Sequence, residues 1–299
     1  MIIDAHAHCY PPDVAVDPVA WGSARGERHW VDLVTCGPQG WATREAMLAE
    51  MDEHGVDCAV LAGWYWEHQA TAEEQAAWHL EWAEAAPGRF LPFIPVQPRA
   101  GQAALRGVER ALATGRFFGI GELMPTAQGF SMEDPAFASL CALAVEAGVP
   151  VLMHVTEPVG HEYPGRLETP LDGYVHLAER FPELRLILAH WGGGLPFYML
   201  NRRVRKALRN AWVDTAAGPL LYAPDVWTAG TNLMGADRVL FGTDFALRLY
   251  PRRRDGPGYA GILAEARAAL PDETVRAAVL GENARRLFGL ADPAKPTGA

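Results

Sequence analysis

Two of the ten histidines, His6 and His8, close the first apolar run of the 299-residue chain, Met1-Ile2-Ile3-Asp4-Ala5-His6-Ala7-His8. In an extended strand residues i and i+2 face the same side, so both imidazoles are presented together, as two ligands of one metal ion must be. The pattern of an apolar run closed by a metal-binding or proton-carrying residue then recurs. Val149-Pro150-Val151-Leu152-Met153 leads into His154, Leu186-Ile187-Leu188-Ala189 into His190, and Val239-Leu240-Phe241-Gly242-Thr243 into Asp244, while Glu122 ends the run from Phe117. Three neutral imidazoles and one carboxylate can hold a divalent cation and leave positions open, as a catalytic site requires. A remaining histidine is free for proton transfer.

Something must bring these residues to one place. Strand-like runs are expected at Ile2 to His6, Cys58 to Ala62, Phe90 to Val96, Phe117 to Glu122, Val149 to His154, Arg185 to His190, Ala211 to Thr215 and Val239 to Asp244. Between and after them lie segments of helical periodicity, among them Thr43 to His54, Thr71 to Ala86, Pro196 to Leu208 and Gly258 to Leu270. Eight βα units in this length give an α/β fold, a single-domain (β/α)8 TIM barrel over residues 1–290, with 291–299 as a tail. No Gly-rich dinucleotide fingerprint follows the first strand, against an open doubly wound sheet. Barrel active sites form at the C-terminal strand ends, where the residues above fall. Cys9 to Gly40, rich in Pro, Gly and Trp, is expected as a long loop over the barrel mouth.

Several segments, in order along the chain, resemble the amidohydrolase superfamily, and most closely its amidohydrolase 2 branch (aminocarboxymuconate-semialdehyde decarboxylase-like). They are Asp4-Ala5-His6-Ala7-His8, Gly119-Ile120-Gly121-Glu122-Leu123, His154, Ala189-His190-Trp191-Gly192-Gly193-Gly194, Gly242-Thr243-Asp244 and Glu282-Asn283-Ala284-Arg285-Arg286-Leu287-Phe288. The resemblance implies that His6, His8, His154 and Asp244 ligate one divalent metal ion. Zinc is expected first, and manganese or iron also suits these donors. It further implies His190 as catalytic acid, base or electrostatic group, and Asp244 as proton carrier between a metal-activated water and the leaving group. Neither Lys206 nor Lys295 falls on a strand end, so the carboxylated-lysine bridge of other superfamily members is closed to this chain. A second metal would have to use Glu122, which otherwise orients a ligand or water.

Weaker candidates for substrate binding follow other strands: Trp64 and Trp66, with Tyr65 between them, then Glu157, His161 and Tyr163, then Trp191, then Arg248 with Arg252, Arg253 and Arg254 beyond it. Aromatic packing or a solvated polar loop explains the aromatic and loop residues equally well, and the arginine run is more often a solvated face, though one guanidinium there could clamp a substrate carboxylate. Of Cys9, Cys36, Cys58 and Cys141, scattered as reduced thiols, only Cys9 stands beside the chemistry.

The first functional expectation is a metal-dependent hydrolase acting on a small organic molecule through a metal-activated water. The alternative is a non-oxidative decarboxylase, a lyase, of an unsaturated or aromatic carboxylic acid. Several aromatic-acid decarboxylases of the branch carry glutamate at the first histidine of the pair, whereas this chain keeps His6; the namesake decarboxylase keeps both histidines. A non-catalytic metal-binding protein ranks last, because no ligand is missing. The net charge of -10 and the lack of basic tracts argue against nucleic acid or anionic membrane as partner. No run is long enough to span a membrane and the start lacks a basic n-region, so the chain reads as cytoplasmic. A homodimer is a family-level expectation.

Overall fold

Short runs of Val, Ile, Leu and Phe bounded by Gly, Pro and charged residues become the strands, as their burial on both faces requires. The computed structural model describes residues 1–35, 39–160, 162–163, 166–248 and 258–291. Its strands are β1 (Ile3–Ala7), β2 (Cys58–Leu61), β3 (Phe90–Ile94), β4 (Gly119–Leu123), β5 (Val151–Met153), β6 (Leu186–Leu188), β7 (Ala211–Asp214) and β8 (Val239–Leu240). All pair in parallel with the next in chain order. Ala5 N donates to Phe241 O (2.7 Å) and Ala7 bridges Phe245, which returns the last strand to the first. The architecture is a (β/α)8 barrel, and the strands overlap the runs expected for them.

Alternation along the strands separates two cores. Ile3, Ala5, Val60, Phe93, Leu152, Ile187 and Leu240 form one cluster with Leu287 and Phe288 of the terminal helix Asn283–Leu287 and its end, filling the lumen. Their neighbours Ala59, Leu61, Ile94, Val151, Met153, Leu186, Leu188 and Val239 face the helices in a second cluster. The alternation slips at two places. In β1 the register moves between Asp4 and Ala7, which oppose Ala59 and Leu61, and in β4 it moves between Ile120 and Leu123, which oppose Val151 and Met153. Each slip inserts one extra residue, so His6 and His8 turn to the same side as Ile3, and Glu122 turns inward too. Irregular strand ends thus aim three donors into the mouth.

Two expectations are corrected. The Cys9 to Gly40 connection is largely helical, with segments Pro12–Val16, Pro18–Arg25 and Arg28–Val34. Proline starts the first two, the Asp17 carboxylate caps the second by accepting from Ala20 N (2.9 Å), and Gly26 ends it at φ 75°. Their Val14, Trp21, Trp30 and Leu33 pack with Tyr10, Trp64, Tyr65 and Trp66. The expected helix from Pro196 to Leu208 is broken, because the Asn201 side chain accepts from Arg203 N and Val204 N and starts a new helix, Arg202–Ala207. Cys36 and residues 292–299 lie outside the described residues.

His79, given no role from the sequence, is buried in the helix Gln69–Ala85, and its Nδ1–H donates to Phe93 O (3.2 Å). Burial pushes its imidazole down to about 3. The folded protein therefore keeps His79 neutral while the unfolded chain takes a proton near pH 6.5, so stability falls as pH drops from about 6.5 towards 3. Between pH 7 and pH 5 this one residue is expected to cost about 2 kcal/mol. Urea unfolding of His79→Gln should show that much less loss over the same interval; equal losses in the two proteins would exclude the assignment.

Candidate metal centre

His6 and His8 stand side by side at the C-terminal mouth, ring centroids 5.2 Å apart and both rings buried. Asp244, beyond β8, brings Oδ1 to 3.4 Å from His8 Nε2 and 3.9 Å from His6 Nε2. Glu122 enters from the opposite side, with Oε2 at 3.5 Å from His6 Nε2 and 3.8 Å from His8 Nε2. Its Oε1 lies 2.9 Å from His154 Nδ1 and 3.6 Å from His190 Nε2. Donor atoms of one ion bound at about 2.0–2.2 Å are themselves roughly 3–4 Å apart, so these spacings fit a divalent cation. The donors gather as two triads, His6 with His8 and Asp244, and Glu122 with His154 and His190.

The local backbone is shaped for this task. His190 and Asp244 adopt left-handed conformations, φ 60° and φ 62°, which cost non-glycine residues about 1–3 kcal/mol and cluster at functional sites. Asp214 at the end of β7 holds the first of them by accepting from His190 N through Oδ1 (2.9 Å). Its Oδ2 accepts from His6 Nδ1–H (2.9 Å) and so directs His6 Nε2 at the centre. Gly193, at φ 59°, lies where a Cβ would stand 2.8 Å from Thr156 O, so the chain after His190 can turn only with glycine.

The electrostatics call for positive charge. Burial pulls the His6 imidazole down, yet the Asp214 and Glu122 carboxylates outweigh it and hold it well above its ordinary range. Burial likewise pushes Glu122 up, but His6 and His154 hold it well below the usual carboxylate range. The Nε2 atoms of His6, His8 and His154 are buried with no hydrogen-bond partner among the described residues. Buried nitrogens left bare beside ionised carboxylates are what a metal site presents, and the chain's residues fit the ion.

The weaker candidates separate. Trp64 sets its edge against His8 (5.4 Å) and stacks on Tyr65 (4.4 Å), which in turn stands 5.4 Å from His154. Glu157 and Tyr163 pair with each other in the loop after β5, Tyr163 Oη donating to Glu157 Oε2 (3.2 Å). Trp66 and Trp191 make packing contacts. Trp66 is buried against Trp30 and Trp21 and donates to Gln75 Oε1, and Trp191 is buried against Trp227 and Gly230 on the helical side. Cys9 is buried, and burial holds its thiol well above the ordinary range, which disfavours the thiolate. His161 and Arg252 to Arg254 lie outside the described residues.

Asp214 is the residue that the sequence reading passed over. It closes the run Ala211-Trp212-Val213 by the same rule that picks out His154. Asp214→Asn is expected to weaken metal affinity 10–100-fold, the usual effect of disturbing a ligand's supporting hydrogen bond, without unfolding the barrel. Competition against a chromophoric chelator measures this, and unchanged affinity would remove Asp214 from the centre.

Three comparisons bear on relationship. The chain is 23% identical over 291 residues to 2-amino-3-carboxymuconate-6-semialdehyde decarboxylase of Dictyostelium discoideum, covering 84% of this chain and 77% of the relative. In fold it is similar to 5-carboxyvanillate decarboxylase LigW from Sphingomonas paucimobilis, with TM-score 0.74, 19% identity and coverage of 97% and 99% of the two chains. It is also similar to 5-carboxyvanillate decarboxylase from Novosphingobium aromaticivorans complexed with manganese, with TM-score 0.71, 17% identity and coverage of 97% and 96%. The amidohydrolase family model matches residues 3–290, the whole barrel with its closing helix, and on that extent the chain belongs to the amidohydrolase family.

Proposed function

We propose that this chain is a metal-dependent carboxy-lyase that removes carbon dioxide non-oxidatively from a small planar unsaturated or aromatic carboxylic acid. The observation that carries this reading is the wall beside the donors: Trp64 and Tyr65, stacked at 26° and both buried, stand next to His8 and His154 and give the site an aromatic side suited to a conjugated acid. The decarboxylases among its relatives support it. Hydrolysis, expected first from the sequence, ranks second, favoured by the retention of His6.

His6, His8, Asp244 and Glu122 would hold the ion. A divalent cation there supplies the positive charge that binds a substrate carboxylate and offsets charge developing as the carbon–carbon bond breaks. Zinc, manganese and iron all suit these donors. The aromatic wall excludes water from the carbon that loses carbon dioxide. That carbon keeps the electron pair and must take up a proton. The Asp244 and His154 side chains are 14% and 12% exposed, against 6% or less for the other donors, so the proton reaches the carbon through one of these two.

Arg248, in the loop after β8, has a buried Nε without a hydrogen-bond partner among the described residues. A substrate carboxylate would satisfy it. Arg248→Ala is expected to raise KM for a carboxylate substrate about 10–100-fold, from the roughly 1.5–3 kcal/mol of a charged hydrogen bond, with little change in kcat. An unchanged KM would remove it from substrate binding.

The deciding experiment offers the metal-loaded protein dihydroxybenzoates, carboxyvanillates and carboxymuconate semialdehydes beside lactones and amides. Carbon dioxide release, with one solvent deuterium appearing at the vacated carbon in D2O, is expected. Hydrolysis of a lactone or amide with no carbon dioxide from any acid would overturn the lyase in favour of the hydrolase.

A further inference from the structure

The connections that follow β2, β3 and β4 enclose a second concavity, beside the start of the helix Arg28–Val34, that shares no residue with the metal centre. Its volume is about 700 Å³, enough for a small organic ligand. Three glutamines build its floor. Gln97 Nε2 donates to Glu67 O (3.0 Å) and Trp66 O (3.1 Å), Gln128 Nε2 donates to Val96 O (2.8 Å) and Trp66 O (3.1 Å), and Gln69 Oε1 accepts from Gln97 N (2.9 Å). These bonds stitch the three connections together, so the concavity is preformed. Its rim is cationic. Arg28 enters from the helix Arg28–Val34 and Arg99 from the turn Pro98–Ala100, and neither guanidinium has a hydrogen bond or ion pair among the described residues. Elsewhere on this chain of net charge -10, Arg25, Arg44, Arg89 and Arg116 each ion-pair with a carboxylate. The carboxylate in the lining is already used, because Glu67 Oε2 accepts from His29 N (2.8 Å). Gly129 keeps the rim open, since a Cβ there would stand 3.1 Å from Arg99 Nη1.

We propose that this concavity binds a small-molecule dianion, a phosphate ester or a dicarboxylate, at a site separate from the metal centre. Each guanidinium presents a planar fork of N–H donors that matches two oxygens of a phosphate or carboxylate group. A phosphate or carboxylate group alone fills only part of the space, so the ligand carries an organic portion, with Ala100 and Ala127 of the lining to pack against. The position of the two arginines gives the site a consequence. Arg28 belongs to the covering helix and Arg99 to the barrel, so one dianion held by both ties the helix to the barrel. That helix carries Trp30, whose ring stands 4.9 Å from Trp64, which in turn stands 5.4 Å from His8. An occupant therefore steadies the aromatic wall without touching the metal-binding donors. The inference needs neither the bound metal nor the identity of the bond that the enzyme breaks.

The test titrates the full metal-loaded chain by calorimetry with inorganic phosphate and, separately, with malonate, and repeats both titrations after chelator treatment. An anion held by the arginines stays when the metal is stripped, whereas one held by the metal is lost. Saturable binding of at least one anion at millimolar concentration or below is expected; phosphate alone points to a phosphate ester, malonate alone to a dicarboxylate. In the double variant Arg28→Gln with Arg99→Gln the affinity should fall about tenfold or more, the scale of losing charge-assisted hydrogen bonds, while turnover without added anion stays at the wild-type level. Both side chains are exposed, so that variant should keep the wild-type melting temperature in the absence of anion. The anion should also slow cleavage between Pro12 and Val34 in limited proteolysis of the wild type and give the double variant no protection. Heats that vanish with the metal, or that are equal in wild type and double variant, overturn the site, as does the failure of both anions to bind at tens of millimolar. Binding that leaves the cleavage rate unchanged overturns the tie between helix and barrel.

Discussion

Replacing His190 with alanine is expected to lower kcat by about 10²–10⁴-fold while the barrel stays folded, the range lost when a proton-transfer or charge-stabilising group is removed. The side chain is buried, its Nδ1–H is spent on Ala216 O, and its Nε2 stands 3.1 Å from His154 Nδ1 and 3.6 Å from Glu122 Oε1. Backbone geometry determines how the experiment must be done. At φ 60°, alanine pays about 1–2 kcal/mol for the left-handed conformation, whereas asparagine tolerates it. His190→Asn is therefore the companion variant, and both should show the loss of kcat in steady-state assays. If either variant retains kcat within tenfold of wild type, His190 takes no part in turnover.

The barrel was legible because its strands are buried on both faces and appear as short apolar runs, most of them ending in a residue that matters. Reading stopped where side-chain direction depends on register. The spacing of His6 and His8 predicts a shared face, but only the extra residue between Asp4 and Ala7 decides that this face is the lumen. Glu122 is the same case in β4, where the slip before Leu123 aims it between the two histidine pairs. Nothing in the order of residues reveals a bulge. Asp214 was missed for a different reason: an aspartate whose whole capacity is spent on His6, His190 and Ala216 does its work behind the ligands. The helices of the Cys9 to Gly40 connection were hidden by their shortness, since five to eight residues carry too little periodicity to register.

That connection leads to the largest expected effect on stability. Trp30 is 1% exposed at the centre of an aromatic cluster, its ring 4.9 Å from Trp64, 5.0 Å from Trp66, 5.3 Å from Tyr10 and 5.4 Å from Trp41. Its Nε1–H donates to Pro18 O (2.9 Å), tying the helix Arg28–Val34 to the start of Pro18–Arg25. Trp30→Ala is expected to cost about 3–5 kcal/mol, the range for removing a fully packed large aromatic. At roughly 2 °C per kcal/mol for a chain of this size, the melting temperature should fall by about 6–10 °C. Trp30→Phe, which keeps most of the ring contact and loses the hydrogen bond, should cost less than half as much. Because Trp64 touches both Trp30 and His8, the substrate wall loosens together with the cluster. KM should then rise in Trp30→Ala even below its melting temperature, and limited proteolysis should cut first between Pro12 and Val34 while the strands stay protected. A melting temperature within 2 °C of wild type, or a first cleavage in the barrel proper, would show that the cluster is an ornament on the mouth and not the support of its aromatic wall.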